Sequence, residues 1–315
     1  MEQEEQAKPA LSVVCPLFNE EGNVRKLHEQ IAKSLRRIGR PFEIIFVNDG
    51  STDRTREICE TLSPVTLVSF RKNFGQTAAL DCGIKKARGD IILTLDGDLQ
   101  NDPADFPRLV AKLEEGYDVV SGWRKNRKDP FSKKLLSRGA DFLRTFLIND
   151  NIHDSGCTLK AYRRESFEDV DLYGEMHRFI PAILKIKGFS VCEIVVTHHP
   201  RIMGKTKYNW TRTIKGLLDL ISVWFWKKYA TRPLHLFGGL GIFSFGGGIV
   251  IAVALIIMRL FYGTALSNKI WPLVAIFMML AGMQFFISGL LADIAVKNYY
   301  NDKRKNYVVR DTVER

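Results

Sequence analysis

A pair of long apolar stretches near the C-terminus constrains the fold of this chain more than any other feature. Leu236–Met258 and Ile270–Ala292 each run for 23 residues without a charged side chain. As a helix, each would be about 34 Å long, slightly more than the roughly 30 Å of hydrocarbon in a bilayer. Two such helices in succession are seldom core helices of a soluble protein. The sequence therefore predicts an integral membrane protein with two spans.

Positive charge is concentrated on one side of these two stretches. The segment that leads in, Arg201–Arg232, holds eight Lys/Arg and one acid, and the segment that leads out, Lys297–Arg315, holds six Lys/Arg and three acids. The intervening loop, Arg259–Lys269, holds only two basic residues. By the positive-inside rule, both termini and the large N-terminal domain are predicted to be cytoplasmic. The polar start of the chain has no apolar core and predicts no cleavable signal peptide.

Two further segments combine an apolar face with basic residues. Trp210–Lys228 and Phe131–Leu147 are predicted to be amphipathic helices at the membrane surface, although each could instead pack on its own domain. The chain has a net charge of +11, and its basic residues cluster beside the two apolar stretches. Binding to anionic lipid explains this excess of positive charge, so no nucleic-acid partner is expected. The five cysteines have no CxxC spacing, which indicates a reducing compartment rather than a disulfide framework or a zinc site.

Residues 10–200 alternate short apolar runs with amphipathic stretches, a rhythm typical of an α/β domain with a mostly parallel sheet. The predicted strands are Leu11–Cys15, Glu43–Val47, Val65–Phe70, Asp90–Leu95 and Asp118–Ser121. The predicted helices are Asn23–Ile38, Thr52–Leu62, Thr77–Ala87 and Pro103–Glu115, with Ser51 or Thr52 placed to cap the second. Because such sheets bind ligands at the carboxyl ends of their strands, the residues after each strand are the candidates for a site.

Acidic side chains follow three of these strands. Glu20 follows the first, Asp49 the second, and Asp96 and Asp98 the fourth. An isolated Asp-Gly is usually a turn, but here the acidic ends are expected to converge on one edge of the sheet. Carboxylates can accept hydrogen bonds from ribose hydroxyls or hold a divalent cation that binds phosphates. Asp98 and Gln100 offer hard oxygen ligands of the kind that Mg²⁺ or Mn²⁺ prefers.

Four motifs together resemble the inverting family-2 glycosyltransferases of GT-A fold. The motifs are Val13–Glu21 (VVCPLFNEE), Val47–Asp53 (VNDGSTD), Arg71–Gly75 (RKNFG) and Asp96–Gln100 (DGDLQ). More narrowly, the chain resembles the polyprenyl-phosphate glycosyltransferases, which include dolichol-phosphate mannose synthases and bacterial undecaprenyl-phosphate glucosyltransferases. The resemblance implies a GT-A, Rossmann-like domain with a mostly parallel sheet, followed by interfacial amphipathic helices and two transmembrane helices. It gives these boundaries: a disordered N-terminus at 1–9, a catalytic domain at 10–209, a juxtamembrane helix at 210–232, the spans at 233–296 and a basic tail at 297–315.

The resemblance also implies roles for individual residues. Nucleotide binding is expected of Pro16, Phe18, Glu20, Asp49, Asn73 and Asp96. The metal ligands are expected to be Asp98, Gln100 and Asp96. Arg124 and Arg138 are expected to contact the acceptor phosphate. Arg201 and Lys207 are expected to close over the donor diphosphate. Asp154 falls in an acceptor loop, and catalysis is expected of Asp98, Asp154, Arg138 and Arg124. Cys157-Thr158-Leu159 departs from the aromatic ending common in mannose synthases.

The function implied is transfer of one hexose from a nucleotide-diphosphate sugar to a polyprenyl phosphate at the cytoplasmic membrane face. UDP-glucose is the first expectation, with GDP-mannose, a uronic acid and an amino sugar as alternatives. The expected cofactor is Mg²⁺ or Mn²⁺, and the expected setting is a bacterial or archaeal plasma membrane, with a homo-oligomer possible. A processive polysaccharide synthase is disfavoured because the chain has no QxxRW motif. A non-catalytic nucleotide-sugar-binding scaffold is disfavoured by its intact set of acids.

The chemistry of the acceptor bears on the role of Asp154. A phosphate monoester has a second pKa near 6 and is mostly dianionic at neutral pH, so it hardly needs a general base. Asp154 is therefore predicted to orient the acceptor more than it abstracts a proton. The pair His198–His199 is interpreted as structural, because it lacks metal-ligand spacing, and His177 as an acceptor-side candidate.

Overall fold

A computed structural model describes residues 8–125, 152–172, 174, 176–200, 221, 224–225, 228–229, 232–263, 265 and 270–301. The chain divides into two compact units, Met1–Val223 and Trp224–Arg315. The predicted amphipathic segment Phe131–Leu147 lies outside the described residues, as does most of Trp210–Lys228.

The described part of the first unit is built on a seven-stranded sheet in the order β3-β2-β1-β4-β6-β5-β7. Its strands are β1 Leu11–Leu17, β2 Phe42–Asn48, β3 Thr66–Ser69, β4 Ile91–Thr94, β5 Val119–Trp123, β6 Lys160–Arg163 and β7 Val191–Val195. The neighbours β3, β2, β1 and β4 are parallel, as are β5 and β7, whereas β6 is antiparallel to both β4 and β5. The carboxyl ends of six strands therefore share one edge, which confirms the mostly parallel sheet.

Helices cover both faces of this sheet. They are α1 Val24–Ile38, α2 Thr55–Glu60, α3 Gln76–Lys86, α4 Phe106–Glu114 and α5 Ile180–Ile186, with 3-10 turns at Pro103–Asp105, Arg164–Phe167 and Met176–Arg178. On one face, α1 and α4 bury apolar side chains against β1 and β4. On the other face, α3 packs on β1 and β2, and α5 packs on β5 and β7. In α1 the buried residues Leu27, Ile31 and Leu35 recur every four positions, which puts them on one stripe. The helix ends at Gly39, whose left-handed φ of 73° lets its N–H reach the Leu35 carbonyl.

Some of these elements differ from those predicted from local sequence patterns. The second helix begins at Thr55 and not at Thr52, and the predicted cap at Ser51 or Thr52 is wrong. The Thr52 N–H instead donates to the Asn19 side chain at 2.8 Å, and Asp53 accepts from the Thr55 N–H at 3.0 Å. Strands β6 and β7 and helix α5 were not predicted. The β6 sequence, Lys-Ala-Tyr-Arg, has charged ends, and its pairing on both sides depends on distant segments.

The second unit contains two long apolar helices, α6 Pro233–Tyr262 and α7 Trp271–Asn301. Only 17% of the most apolar window of each helix is buried, so neither is the core helix of a soluble domain. The helices pack closely at glycines, because a Cβ on Gly282 would lie 2.5 Å from the Phe245 nitrogen and 2.7 Å from the Gly241 oxygen. Two helices long and apolar enough to span a membrane are thus confirmed, and their orientation stays a prediction.

Candidate active site

The segments that follow β1 and β4 lie side by side at the common edge of the sheet. A Cβ on Gly97 would lie 3.3 Å from the Glu20 Cγ and 3.5 Å from the Pro16 oxygen. The Asp49 N–H, just beyond β2, donates to the Leu17 carbonyl at 2.8 Å. The three acidic strand ends predicted to converge therefore do so.

Asp49 organises the loop that follows β3. Its side-chain oxygens accept from the Phe74 N–H at 2.7 Å and the Gly75 N–H at 2.9 Å, and the residue is 3% exposed. The loop passes so close that a Cβ on Gly50, whose φ is +67°, would lie 2.6 Å from the Asn73 nitrogen. Asp49 thus presents Asn73, which is exposed, at the edge of the sheet.

The first turn of α3 reaches the acids that follow β4. The Gln76 side chain donates to Asp96 at 2.6 Å, and the Gln100 N–H donates to Asp98 at 3.2 Å. Burial, and then the negative charge of Asp98, raise the pKa of Asp96 to about 6. Leu99, directly after Asp98, has a φ of 58°, a left-handed conformation uncommon outside glycine. The tight turn keeps two like charges close together, a costly arrangement that a cation would relieve.

These side chains suit a hard divalent cation but do not enclose one. Among the residues described, no group of three or more His, Cys, Asp or Glu side chains could hold a metal. Asp96, Asp98 and the Gln100 amide supply oxygen atoms, the ligand type that Mg²⁺ and Mn²⁺ take in proteins. The remaining ligands would have to be substrate or water oxygens, as expected for a cation that arrives with a diphosphate.

Across the same edge, Arg124 and Asp154 form a two-pronged ion pair. The Arg124 Nε donates to Asp154 at 2.7 Å, its Nη2 at 2.8 Å and its backbone N–H at 3.1 Å. The two side chains are only 13% and 10% exposed. Burial opposes the charge on Arg124, but the paired carboxylate raises its pKa further above the ordinary value, so the guanidinium stays charged.

The loop that carries Asp154 is held by residues that the sequence did not single out. Glu193 on β7 accepts from the His153 N–H at 2.8 Å and the Asp154 N–H at 3.1 Å. The ring of His153 also contacts Glu193 at 2.8 Å and stacks on Trp123 with centroids 4.4 Å apart. Lys160 on β6 is 2% exposed and donates to the Ser155 carbonyl at 3.3 Å. A lone lysine in a strand and a glutamate in an apolar run were the only local signals.

Ten of the predicted site residues lie in the segments at this edge. They are Pro16, Phe18, Glu20, Asp49, Asn73, Asp96, Asp98, Gln100, Arg124 and Asp154. Arg138, Arg201 and Lys207 lie outside the described residues. His177 contacts the Thr77 hydroxyl at 2.8 Å, beside the turn of α3 that reaches Asp96. His199 pairs with Asp102 at 3.0 Å, in keeping with a structural interpretation.

The sequence is similar to a known family and to proteins of known activity. The family model described as "Glycosyl transferase family 2" matches residues 12–171. The chain is 40% identical over 310 residues to a dodecaprenyl-phosphate galacturonate synthase of Rhizobium johnstonii, covering 95% of this chain and 92% of that protein. It is 35% identical over 300 residues to an undecaprenyl-phosphate 4-deoxy-4-formamido-L-arabinose transferase of Proteus mirabilis, covering 93% and 90%.

The fold is similar to that of solved structures. A glucosyl-3-phosphoglycerate synthase of Mycobacterium tuberculosis in complex with uridine diphosphate gives a TM-score of 0.56 at 20% identity, covering 70% of this chain and 81% of that chain. The same enzyme in complex with Mn²⁺, uridine diphosphate and product gives 0.53 at 19% identity, with the same coverage. At this identity, the likeness concerns the fold alone.

Proposed function

The chain belongs to glycosyltransferase family 2, and on that premise we propose that it transfers one uronic acid residue from a nucleotide-diphosphate donor to a polyprenyl phosphate. Its activity as a polyprenyl-phosphate sugar transferase rests on similarity over almost the full length of the two relatives. Two apolar helices make it a membrane protein. The observation that carries the transfer reaction is that paired acids and a buried Arg–Asp pair share one edge of the sheet.

On the donor side, we propose that the segments after β1, β2 and β3 bind the nucleotide. Pro16, Phe18 and Glu20 border this region, and Asp49 holds the loop that presents Asn73. Asp96, Asp98 and Gln100 would hold Mg²⁺ or Mn²⁺, which, when bound, would offset negative charge on the leaving diphosphate. A solved structure of the same fold contains Mn²⁺ together with uridine diphosphate, which supports a divalent cation but not the choice of ligands. Arg201 and Lys207 are proposed to close over the same diphosphate.

On the acceptor side, we propose that Arg124 binds the lipid phosphate together with Arg138. Asp154 occupies the Nε and one N–H of Nη2, so the rest of the guanidinium can face an anion. A planar guanidinium held in one orientation suits phosphate better than a mobile ammonium does. Attack of a phosphate oxygen from the side opposite the leaving diphosphate forms the new glycosidic bond, breaks the old one and inverts the anomeric carbon.

The expected identity of the donor sugar has to be revised. UDP-glucose was expected first, but the relatives are named for galacturonate and for a formamido-arabinose, which supports the alternatives instead. We place a uronic acid first because the galacturonate synthase is 40% identical to this chain, against 35% for the arabinose enzyme. The amino sugar is the second candidate.

We also propose the orientation that the charge asymmetry predicts, with catalytic domain and both termini cytoplasmic. Nucleotide sugars and divalent cations are supplied on that side. The proposed boundaries remain 10–209 for the catalytic domain, 210–232 for the juxtamembrane helix and 233–296 for the spans.

A donor panel tests the proposed function. The full chain in detergent is incubated with undecaprenyl phosphate and with labelled UDP-galacturonic acid, UDP-4-deoxy-4-formamido-L-arabinose, UDP-glucose or GDP-mannose, with Mn²⁺ or with chelator. We expect solvent-extractable labelled lipid from UDP-galacturonic acid, and only with the cation. Transfer from glucose or mannose alone would overturn the choice of sugar. Insoluble polymer would indicate a processive synthase, and donor binding without transfer would indicate a scaffold.

Replacing Asp154 with asparagine tests whether this residue orients or deprotonates. Because its carboxylate already accepts three hydrogen bonds from Arg124, we expect kcat to fall about tenfold, short of the roughly 100- to 10,000-fold that a lost general base costs. The rate should rise with pH through the acceptor's own pKa, near 6, in wild type and variant alike. A rise in the wild-type profile that the variant lacks would instead identify Asp154 as the base.

A further inference from the structure

A row of four polar side chains crosses the sheet beneath the loop that carries Asp154. In register, Thr94 of β4 lies opposite Lys160 of β6, Lys160 opposite Ser121 of β5, and Ser121 opposite Glu193 of β7. Directly paired residues point to the same face of a sheet, so the four side chains form one line. The next row along these strands, Ile92, Tyr162, Val119 and Val191, is apolar. Along these strands, the polar row therefore lies between the apolar core and the edge of the sheet that carries the site.

Members of this row hold the loop at three separate points. The Thr94 hydroxyl donates to the Thr158 carbonyl at 2.8 Å, and Lys160 donates to the Ser155 carbonyl at 3.3 Å. Glu193 accepts from the N–H groups of His153 and Asp154. We call residues 153–158 the acceptor loop. Its backbone is thus attached to three strands of the sheet, β4, β6 and β7.

One member of the row, Lys160, is a lysine whose charge is buried, which is energetically unfavourable. Lys160 is 2% exposed and Thr94 is 3% exposed, and the Glu193 side chain is 9% exposed. Burial lowers the pKa of Lys160 to about 8, which means that its charged form is disfavoured where it stands. An apolar side chain of similar length would avoid this cost. This lysine is therefore better explained by the carbonyl that its ammonium holds than by a contribution to stability.

We propose that Glu193 and Lys160 are positioning residues for the acceptor, an inference that rests on the proposed function. They fix the backbone of the acceptor loop from below, so that Asp154 meets Arg124 in one orientation. The guanidinium then presents its remaining N–H groups to the lipid phosphate in a constant direction. Neither residue needs to touch substrate for this effect.

Two variants test the inference in the full chain in detergent. Glu193→Gln replaces one acceptor oxygen by an NH₂ group, and Lys160→Met removes the donor to Ser155 at similar volume. For both we expect the KM for undecaprenyl phosphate to rise about tenfold, as for loss of a buried hydrogen bond, and kcat to fall by a similar factor. The KM for the donor should stay within about twofold. The melting temperature of Lys160→Met should be no lower than that of wild type.

Asp118→Asn provides the matched control. Asp118 accepts from the Ser190 N–H at 2.7 Å and joins the same two strands, β5 and β7, at their opposite ends. We expect all its kinetic constants within about twofold of wild type. A donor KM that rises as much as the acceptor KM would overturn the inference, as would a lower melting temperature with unchanged acceptor KM.

A double-mutant cycle and hydrogen exchange complete the test. If Glu193 acts through Asp154, the double variant Glu193→Gln/Asp154→Asn should be no slower than Asp154→Asn alone, whereas independent effects would multiply and contradict the proposal. Exchange of the His153 and Asp154 amides should quicken in Glu193→Gln. Because exchange needs no turnover, it tests the positioning even if wild type transfers none of the sugars. If wild type transfers none of the sugars but exchange still quickens in Glu193→Gln, only the proposed function is overturned. If exchange of these amides is unchanged in Glu193→Gln, the inference is overturned.

Discussion

Replacing Asp98 with asparagine is expected to lower kcat/KM about 1,000-fold, the largest loss anticipated for any single conservative substitution in this chain. Asparagine has the same shape and keeps an oxygen that can accept from the Gln100 N–H, so the turn should survive. The variant loses the negative charge and exchanges one carboxylate oxygen for an NH₂ group. If that charge is what attracts a divalent cation to the site, both cation affinity and turnover should fall together.

The measurement combines kinetics with binding. For wild type, we expect uridine diphosphate to bind at least about tenfold more tightly with Mn²⁺ than with chelator, and for Asp98→Asn we expect the two affinities to be the same. Turnover of the variant should recover only partly at high Mn²⁺. Retention of more than about a tenth of wild-type kcat/KM at ordinary Mn²⁺ would show that the carboxylate is not required.

Asp102→Asn is the control for this substitution. Asp102 lies four residues further along, accepts from the Ala104 N–H at 2.9 Å and contacts His199 at 3.0 Å. Asparagine can accept from the same N–H, so the 3-10 turn at Pro103–Asp105 should persist. We expect activity within about threefold of wild type. A comparable collapse of activity in this control would mean that the segment tolerates no loss of negative charge, whatever its position.

The acids of the site were predictable because the signal is local. Asp96 directly follows the buried run Ile91–Leu95, and a parallel sheet brings the residues after each strand to one edge regardless of how the loops are built. The same rule found Glu20 and Asp49. The partners of these acids were not predictable. That Asp49 would bind the N–H groups of Phe74 and Gly75 depends on the path of a loop, which no periodicity encodes.

The supports of the acceptor loop were missed for a different reason. Lys160 lies in a strand with charged ends, and Glu193 is one acid within an apolar run, so each resembles an ordinary surface residue in sequence. Their alignment with Thr94 and Ser121 arises from cross-strand register, and β6 enters the sheet antiparallel between β4 and β5. Register between segments so distant in the chain is set by tertiary packing, which local patterns do not report.

The two apolar helices show the opposite case. Their length and lack of charge were sufficient to predict them, because a membrane imposes a simple rule on any segment that crosses it. Where these two helices meet, Gly282 of one lies against Gly241 of the other, which lets the backbones approach closely. The identity of the sugar, in contrast, depends on a few side chains that contact the sugar ring. The expectation of glucose was not based on any such side chain.

Replacing Arg124 with lysine should separate the charge of this residue from its shape. Lysine keeps a positive charge near Asp154, but a single ammonium cannot hold both carboxylate oxygens and also face a phosphate in a set direction. We expect kcat/KM for undecaprenyl phosphate to fall about 100-fold, with donor affinity unchanged. Arg124→Ala should be worse, about 1,000-fold, and it should also lower the free energy of unfolding by about 3–5 kcal/mol, because it removes the guanidinium that pairs with the buried Asp154 carboxylate.

Arg56→Lys is the matched control, since it alters an arginine–carboxylate pair on α2 that does not line the cavity beside Arg124. Arg56 contacts Glu60 at 2.9 Å, but its side chain is 63% exposed and water can replace the lost hydrogen bond. We expect its kinetic constants within about twofold of wild type. If Arg124→Lys kept its acceptor KM, the lipid phosphate would have to bind elsewhere, and Arg138 would become the first residue to replace. If Arg124→Lys weakened donor and acceptor equally, the pair would serve the fold of the edge and not the recognition of a phosphate.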